Sequence, residues 1–194
     1  MDRAQERRLI RRAAAGDKQA AEACIRAHQQ SLYAYMLRLS GRPDVAEDIV
    51  QEAFVRVLTS LDRFDDRYRF STWLFTIARR LYVNACQKHK PVYESDVVGG
   101  WHSSAEGPES PVIDAEVHEN TRDSLQAALL RLPEDQREVV ILFHQQDWPI
   151  ALIAQHMGMP EGTVKSHLHR GRRRLRAMLE ASERDAARVE EAWR

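Results

Sequence analysis

The stretch from Asp147 to Arg176, DWPIALIAQHMGMPEGTVKSHLHRGRRRLR, limits the choice of fold more than any other part of the chain. Ile150, Ile153, Ala154 and Met157 recur at helical spacing and predict a short first helix. Gly158 ends it, because a residue without a Cβ enters the left-handed conformation past a helix terminus at little cost. Pro160, with its fixed φ and missing N–H, suits the opening of a second helix. That helix carries Val164, Leu168, Leu175 and Leu179 on one face, and Gly171 falls on the same stripe. Two short helices joined by a Gly-containing turn, the second polar and basic on its free side, make the helix-turn-helix pattern. From Gly162 to Leu179, Lys165, Arg170, Arg172, Arg173, Arg174 and Arg176 are interrupted by no acid. A merely solvated helix mixes signs to gain i,i+4 pairs, whereas a single-sign face suits a phosphate backbone. The stretch therefore reads as DNA-binding. The plainer alternative is a helical hairpin whose basic face is only hydrated.

Formal net charge is zero over 194 residues, which by itself argues against a nucleic-acid partner. The average hides a segregation. Residues 1–90 hold 17 Lys and Arg against 11 Asp and Glu, whereas residues 91–121 hold seven acids and no base. Residues 122–194 are nearly balanced, with the basic residues gathered in the second helix of the motif. Strand-like alternation of Val, Ile and Thr is almost absent, so the expected class is all-α. Cys24 and Cys86 are too few and too far apart for a disulfide framework or a metal knuckle. No apolar run approaches the roughly 20 residues that span a bilayer, and 1–15 is too charged for a signal sequence. A reduced cytoplasmic protein without membrane insertion is the expectation.

Taken in order, Gln5 to Ala14 predicts a basic helix that Gly16-Asp17 interrupts, and Lys18 to Leu39 predicts a second. Ser40-Gly41-Arg42-Pro43 is a stop signal, and Asp44 reads as the N-cap of a helix over 45–58. That helix sets Val45, Ile49, Phe54, Val57 and Leu58 near a buried stripe and Glu47, Asp48, Gln51, Glu52 and Arg56 outside it. After a polar break at 62–68, Arg69 to Lys90 predicts a helix with Ser71 as N-cap and Trp73, Leu74, Ile77, Ala78 and Leu81 inward. Phe70, Phe75 and Tyr82 are interleaved with Arg69, Arg79, Arg80, Lys88 and Lys90. Such aromatics either fill a core or stack on single-stranded bases. Residues 91–118 hold three prolines, Gly99-Gly100 and a Ser/Glu-rich centre, the composition of a flexible acidic linker. Glu119 to Leu132 and Glu134 to Phe143 predict two more helices before the motif, and 181–194 a charged helical tail. The expected architecture is two small helical domains, 1–90 and 119–180, joined by the acidic linker.

Four stretches carry a resemblance: DVAEDIVQEAFVRVL (44–58), RFSTWLFTIARRL (69–81), LPEDQREVVILF (132–143) and IALIAQHMGMPEGTVKSHLHRGRRRL (150–175). In this order, and with a variable linker between the pairs, they resemble the extracytoplasmic-function group of bacterial sigma factors. The resemblance implies an alternative-sigma initiation factor working with core RNA polymerase on promoter DNA. It implies that Asp48, Gln51, Glu52 and Phe54 dock on the coiled-coil of the β′ subunit, an acidic, amide-bearing face with an apolar anchor against a basic partner. It implies that Phe70, Arg79, Arg80, Asn84, Lys88 and Lys90 meet the melted minus-10 element. Thr163, Lys165, Ser166, His167, His169 and Arg170 are implied to face the minus-35 duplex, where Arg or Lys on guanine discriminates by about 1–3 kcal/mol. It further implies contact of the C-terminal domain with the β flap, an acidic linker running near the RNA exit path, and an anti-sigma factor as inhibitor. The chain departs from the family pattern at Leu152, where an acid is usual, at Arg80, where Asn is frequent, and at His167, where Arg is common.

The rival reading is an autonomous helix-turn-helix repressor or response-regulator output domain. Such proteins normally dimerise on two half-sites, and nothing in that reading needs residues 44–90. No Gly-rich phosphate loop, nucleophile elbow, zinc spacing or paired catalytic carboxylate points to an enzyme. His167 and His169 lie about 200° apart around a helix and cannot share an ion. No metal and no cofactor are assigned.

Overall fold

The computed structural model describes residues 3–65, 68–88 and 123–192, and every regular element among them is helical. The first half holds α1 (Arg3–Ala14), α2 (Lys18–Ser40), α3 (Pro43–Thr59), a short 3-10 turn (Leu61–Arg63) and α4 (Phe70–Lys88). The second holds α5 (123–130), α6 (Glu134–His144), α7 (Ile150–Met157) and α8 (Glu161–Ala192). The acidic segment 91–118, Lys90 and the start of the helix expected from Glu119 lie outside the described residues.

Local chemistry explains most of the boundaries. Asp17 caps α2, its carboxylate accepting from the N–H groups of Gln19 and Ala20. Gly41 closes α2 in the left-handed conformation at φ 70° and donates its N–H to the Leu37 carbonyl. Two expected caps fall differently. Pro43 opens α3, because its missing N–H costs nothing in a first turn. Asp44 is consequently inside that turn, bonded to Arg42, and not the cap. Ser71 likewise lies inside the first turn of α4, which begins at Phe70. The motif follows the sequence closely: α7 ends at Met157, and Gly158 takes φ 66° with its N–H on the Ala154 carbonyl.

Packing starts from α2, which lies against both α1 and α3, while α4 crosses α3. Leu32, Tyr35, Met36, Leu39, Ala53, Val57, Leu74 and Phe75 fill the space between them. In the second half, α8 lies along α6 with α7 across both, and Val139, Leu142, Ile153, Val164 and Leu168 are enclosed. The halves are not independent. Helix α6 is buried nearly all round, with Val139, Val140, Ile141 and Leu142 alike removed from water, because α8 covers one side and α2 the other. One continuous core therefore runs through both halves.

Polar contacts stitch the same boundary. Arg137 donates to the Leu39 carbonyl at 2.6 Å, Gln126 donates to the Arg38 carbonyl at 3.3 Å, and Ser31 donates to Gln146 at 2.7 Å. Phe75 of α4 faces Trp148 with ring centres 5.6 Å apart.

At Gly171, α8 passes close against α6. A Cβ there would lie 2.8 Å from Val140 Cγ2 and 3.4 Å from the Gln136 carbonyl oxygen. Alanine improves helix propensity by about 1 kcal/mol over glycine, but overpacking a buried contact costs about 1–3 kcal/mol. Val140 is β-branched and enclosed and has little room to turn aside. Gly171→Ala is expected to destabilise the fold by about 1 kcal/mol, seen as a lower urea midpoint with an unchanged slope. A raised midpoint would mean that α6 and α8 have slack at this crossing.

Candidate nucleic-acid interface

Three surfaces carry the residues singled out in the sequence. On α3, Asp48, Gln51 and Glu52 are exposed and form one stripe at i, i+3 and i+4. Glu52 is paired to Arg56 at 2.6 Å on the exposed surface. Phe54 does not belong to this stripe. It is 6% exposed and points into the core, so the expected apolar anchor of the docking face is corrected. Burying a phenylalanine is worth about 1.5–3 kcal/mol, which outward rotation would forfeit. The apolar residue that does extend the stripe, at i+7 from Asp48, is Val55, 57% exposed. Its signal was in the spacing, which set Phe54 on the inward stripe while the family resemblance set it on the docking face.

On α4 the aromatics separate sharply from the polar residues. Phe70 is 1% exposed, enclosed by His28, Phe64 and Trp73 with ring centres 5.1, 5.7 and 6.0 Å away. Phe75 is equally buried and stacks on Tyr35 at 5.0 Å, and Tyr82 is inward as well. Releasing a buried aromatic costs about 3–5 kcal/mol, whereas stacking on a base returns about 1–3 kcal/mol. Phe70 is therefore a core residue and not a base-stacking one. Arg80 and Asn84 are exposed one turn apart on a common face. The side chain of Lys88, and Lys90 altogether, lie outside the described residues. The exposed aromatic that sequence reasoning missed is Tyr68, 54% exposed beside the exposed Arg69 just ahead of α4. An aromatic next to an arginine, in a break between helices, was the legible sign.

Arg79 faces the other half of the molecule. Its Nε donates to Glu138 Oε1 at 2.7 Å, and the same oxygen accepts from the Tyr35 hydroxyl at 2.7 Å. His156 Nε2 stands 3.4 Å from that oxygen, an ion-pair distance and long for a hydrogen bond. His156 Nδ1 is 3.1 Å from Thr76 Oγ1, and the Thr76 hydroxyl already donates to the Thr72 carbonyl. Glu138 is 2% exposed. Burial alone would push its carboxyl up, but His156, Arg79 and Tyr35 outweigh that and hold it below the usual carboxylate range. Burial, and then Glu138, push the Tyr35 phenol well above its ordinary value.

On α8, Lys165, Ser166, His169 and Arg170 are exposed, while Thr163 and His167 are half-buried at the margin of that face. Ser166 donates to the Gly162 carbonyl, and the exposed Arg170 donates its Nε to the Ser166 carbonyl at 3.3 Å. The arginine run is divided by task. Arg172 lies over the Phe143 ring at 4.9 Å and donates to His144 Nε2, and Arg174 donates to Gln136 at 3.2 Å. These two, although exposed, reach across to α6, while Lys165, Arg170, Arg173 and Arg176 are likewise exposed. Leu152, where the family pattern has an acid, packs half-buried against the core and opens no apolar patch. Among the described residues no group of three His, Cys, Asp or Glu side chains is placed to hold a metal ion, and no helix is long and apolar enough to cross a membrane.

Comparison with known proteins places both halves. Residues 24–92 match the Sigma-70 region 2 family and residues 122–175 match Sigma-70, region 4. The chain is 33% identical over 183 residues to the ECF RNA polymerase sigma factor SigW of Bacillus subtilis (strain 168), covering 89% of this chain and 96% of that one. It is 34% identical over 149 residues to the ECF RNA polymerase sigma factor EcfG of Rhodopseudomonas palustris (strain TIE-1), covering 77% and 79%. The fold is similar to that of the sigma factor RpoE in its complex with the anti-sigma factor NepR from Bartonella quintana, with a TM-score of 0.62, 26% identity, and 82% and 96% of the two chains covered. The sequence pattern, the helical architecture and these likenesses agree, and the chain belongs to the ECF RNA polymerase sigma factors.

Proposed function

We propose that this ECF sigma factor directs core RNA polymerase to its promoters through three separate surfaces. The stripe Asp48, Gln51, Glu52 and Val55 on α3 docks on the β′ coiled-coil. Arg80 and Asn84 on α4, with Lys88, Lys90, Arg79 and the exposed Tyr68, engage the melted minus-10 strand. Lys165, Ser166, His169 and Arg170 on α8, flanked by Thr163 and His167, read the minus-35 duplex, while the same domain rests on the β flap. The observation that carries the reading is the sorting of side chains. The stretches matched to the sigma regions keep polar or basic faces in water while Phe54, Phe70, Phe75 and Tyr82 are buried in the core. The acidic segment 91–118 is assigned to the polymerase channel by charge alone, seven acids without a base over 91–121. An anti-sigma factor is the proposed inhibitor, by analogy with the NepR complex, and the cytoplasm is the proposed site of action. The chain acts as an initiation factor.

Run-off transcription with purified core polymerase on fragments upstream of genes induced by overexpression tests the whole reading. Promoter-specific transcripts should appear only when the chain is added. Their absence from every such fragment, together with tight palindromic binding by the free protein, would favour an autonomous repressor.

The α3 stripe makes a sharper claim. Val55→Asp should weaken core binding by about tenfold or more, as expected for an apolar anchor at the centre of a contact, with thermal stability unchanged because Val55 packs on nothing in the core. Unaltered affinity in a pull-down titration would remove Val55 from the interface. On α8, Lys165→Ala and Arg170→Ala should each lower affinity for minus-35 duplex. The loss at Lys165 should be uniform across sequences, with the salt slope reduced by about one. The loss at Arg170 should be largest on the cognate sequence, by about 1–3 kcal/mol if it contacts guanine. Equal losses on all sequences at both positions would make the two residues phosphate contacts only.

A further inference from the structure

Five of the twelve residues of α1 are arginine, and its single acid, Glu6, is turned inward with Oε1 3.4 Å from His28 Nε2. Ile10 is buried, and Leu9 and Ala13 pack on the same core, so the apolar side of α1 is taken up by α2 and the Leu61–Arg63 turn. The opposite side is an open trough lined by Ala4, Arg7, Arg8, Arg11, Arg12 and Ala15, with no acid among them. Arg8, Arg11 and Arg12 are exposed there. Arg12 is steadied by Asp17, whose Oδ2 accepts from its Nε at 2.9 Å and its Nη2 at 2.6 Å. Arg7 Nε is enclosed without an acceptor among the described residues. A face of one sign forgoes the i,i+4 pairs of a merely solvated helix, and guanidinium forks match phosphate oxygens. A lipid surface does not fit, because a membrane-binding helix inserts an apolar face and α1 has none free.

The trough lies beside the entry to α4. His28, which meets Glu6, packs its ring on Phe70 with centres 5.1 Å apart, and Phe70 directly follows the exposed Tyr68 and Arg69. The exposed Arg63 belongs to the turn on which α1 packs. A helix with its side chains is about 10–12 Å across, so the outer face of α1 is a short step from Arg69. Ala4 and Ala15 are about 16 Å apart along the axis at 1.5 Å per residue. A B-form strand carries a phosphate about every 3.4 Å, so the trough matches a run of four or five. We propose that the outer face of α1 grips the phosphate backbone of the promoter strand where it continues beyond Tyr68 and Arg69. This is a further DNA surface, one that adds affinity without base preference. It rests on the reading of α4 as the minus-10 surface made above.

The test titrates holoenzyme, assembled from core polymerase and the full chain, with labelled non-template oligonucleotides from a promoter mapped by run-off transcription. One probe ends at the borders of the minus-10 element, and two others continue past it by about six nucleotides, toward 5′ or toward 3′, enough to cross α1. The wild-type holoenzyme should bind one extended probe more tightly than the short one. Arg8→Ala combined with Arg11→Ala should abolish that gain and leave the short probe and the circular dichroism unchanged. Losing two single-strand phosphate contacts lowers the salt slope by about 1.4, so between about 50 and 200 mM salt the wild type should lose about sevenfold more affinity than the variant. Arg8→Lys with Arg11→Lys should keep the slope, because the charge survives. An unchanged slope in the alanine variant, or equal losses on short and extended probes, overturns the proposal. A fall in affinity for core polymerase with probe binding unaltered assigns the face to the polymerase and also overturns it. Arg80→Ala runs in parallel and should weaken every probe alike. No change with Arg80→Ala removes α4 from the strand and the proposal with it, whereas a loss there and none in the alanine variant excludes α1 alone.

Discussion

Everything in this structure depends on α6 being covered on both sides. Its run of Val139, Val140, Ile141 and Leu142 leaves no face for water, so a single partner helix cannot satisfy it. Helix α8 supplies one cover from the same domain, and α2 supplies the other from across the chain. A helix hydrophobic nearly all round must be interior, and here it becomes interior at the meeting of two regions. Glu138 sits in that run as its one buried charge. The hydrophobic effect brings the surfaces together without direction, and the Tyr35 and Arg79 hydrogen bonds give the contact its register.

The same economy governs the DNA-facing elements. A helix of this size has a limited number of large side chains, and the fold places Phe70, Phe75, Tyr82 and Phe54 where they exclude water. What remains exposed is polar and charged: Arg80 and Asn84 on α4, Lys165, Ser166, His169 and Arg170 on α8. Even the arginines of α8 are not equivalent. Arg172 on Phe143 and Arg174 on Gln136 serve the helix–helix contact, whereas Arg170, Arg173 and Arg176 lie in water. A family that shares fold and docking can vary promoter preference at such positions without disturbing the core, because surface substitutions seldom shift stability much.

Much of this was legible in the sequence where the signal is local. The turn at Gly158, the bounds of α7, the inward stripe Val164, Leu168, Leu175 and the exposure of Asp48, Gln51 and Glu52 follow from periodicity and backbone chemistry within a few residues. Errors arose where a residue has two plausible neighbours. The period of α3 already put Phe54 on the inward stripe, where it lies, and it was the family resemblance that assigned it to the docking face as well. Phe70 borders basic residues in the chain, yet its actual surroundings are His28, Phe64 and Trp73. The caps of α3 and α4 shifted for a smaller reason: a Pro43 that can start a helix displaces Asp44 from the cap.

The sequence by itself determined the class, the order of helices, the helix-turn-helix and the membership of the sigma family, because these are written in periods of three to four residues and in contiguous motifs. Tertiary structure alone decided that α6 bridges the halves and that Arg79 meets Glu138, 59 positions away. No local pattern encodes such a pairing. A carboxylate in a hydrophobic run announces that it must find donors, but which donors come within reach depends on how whole helices dock.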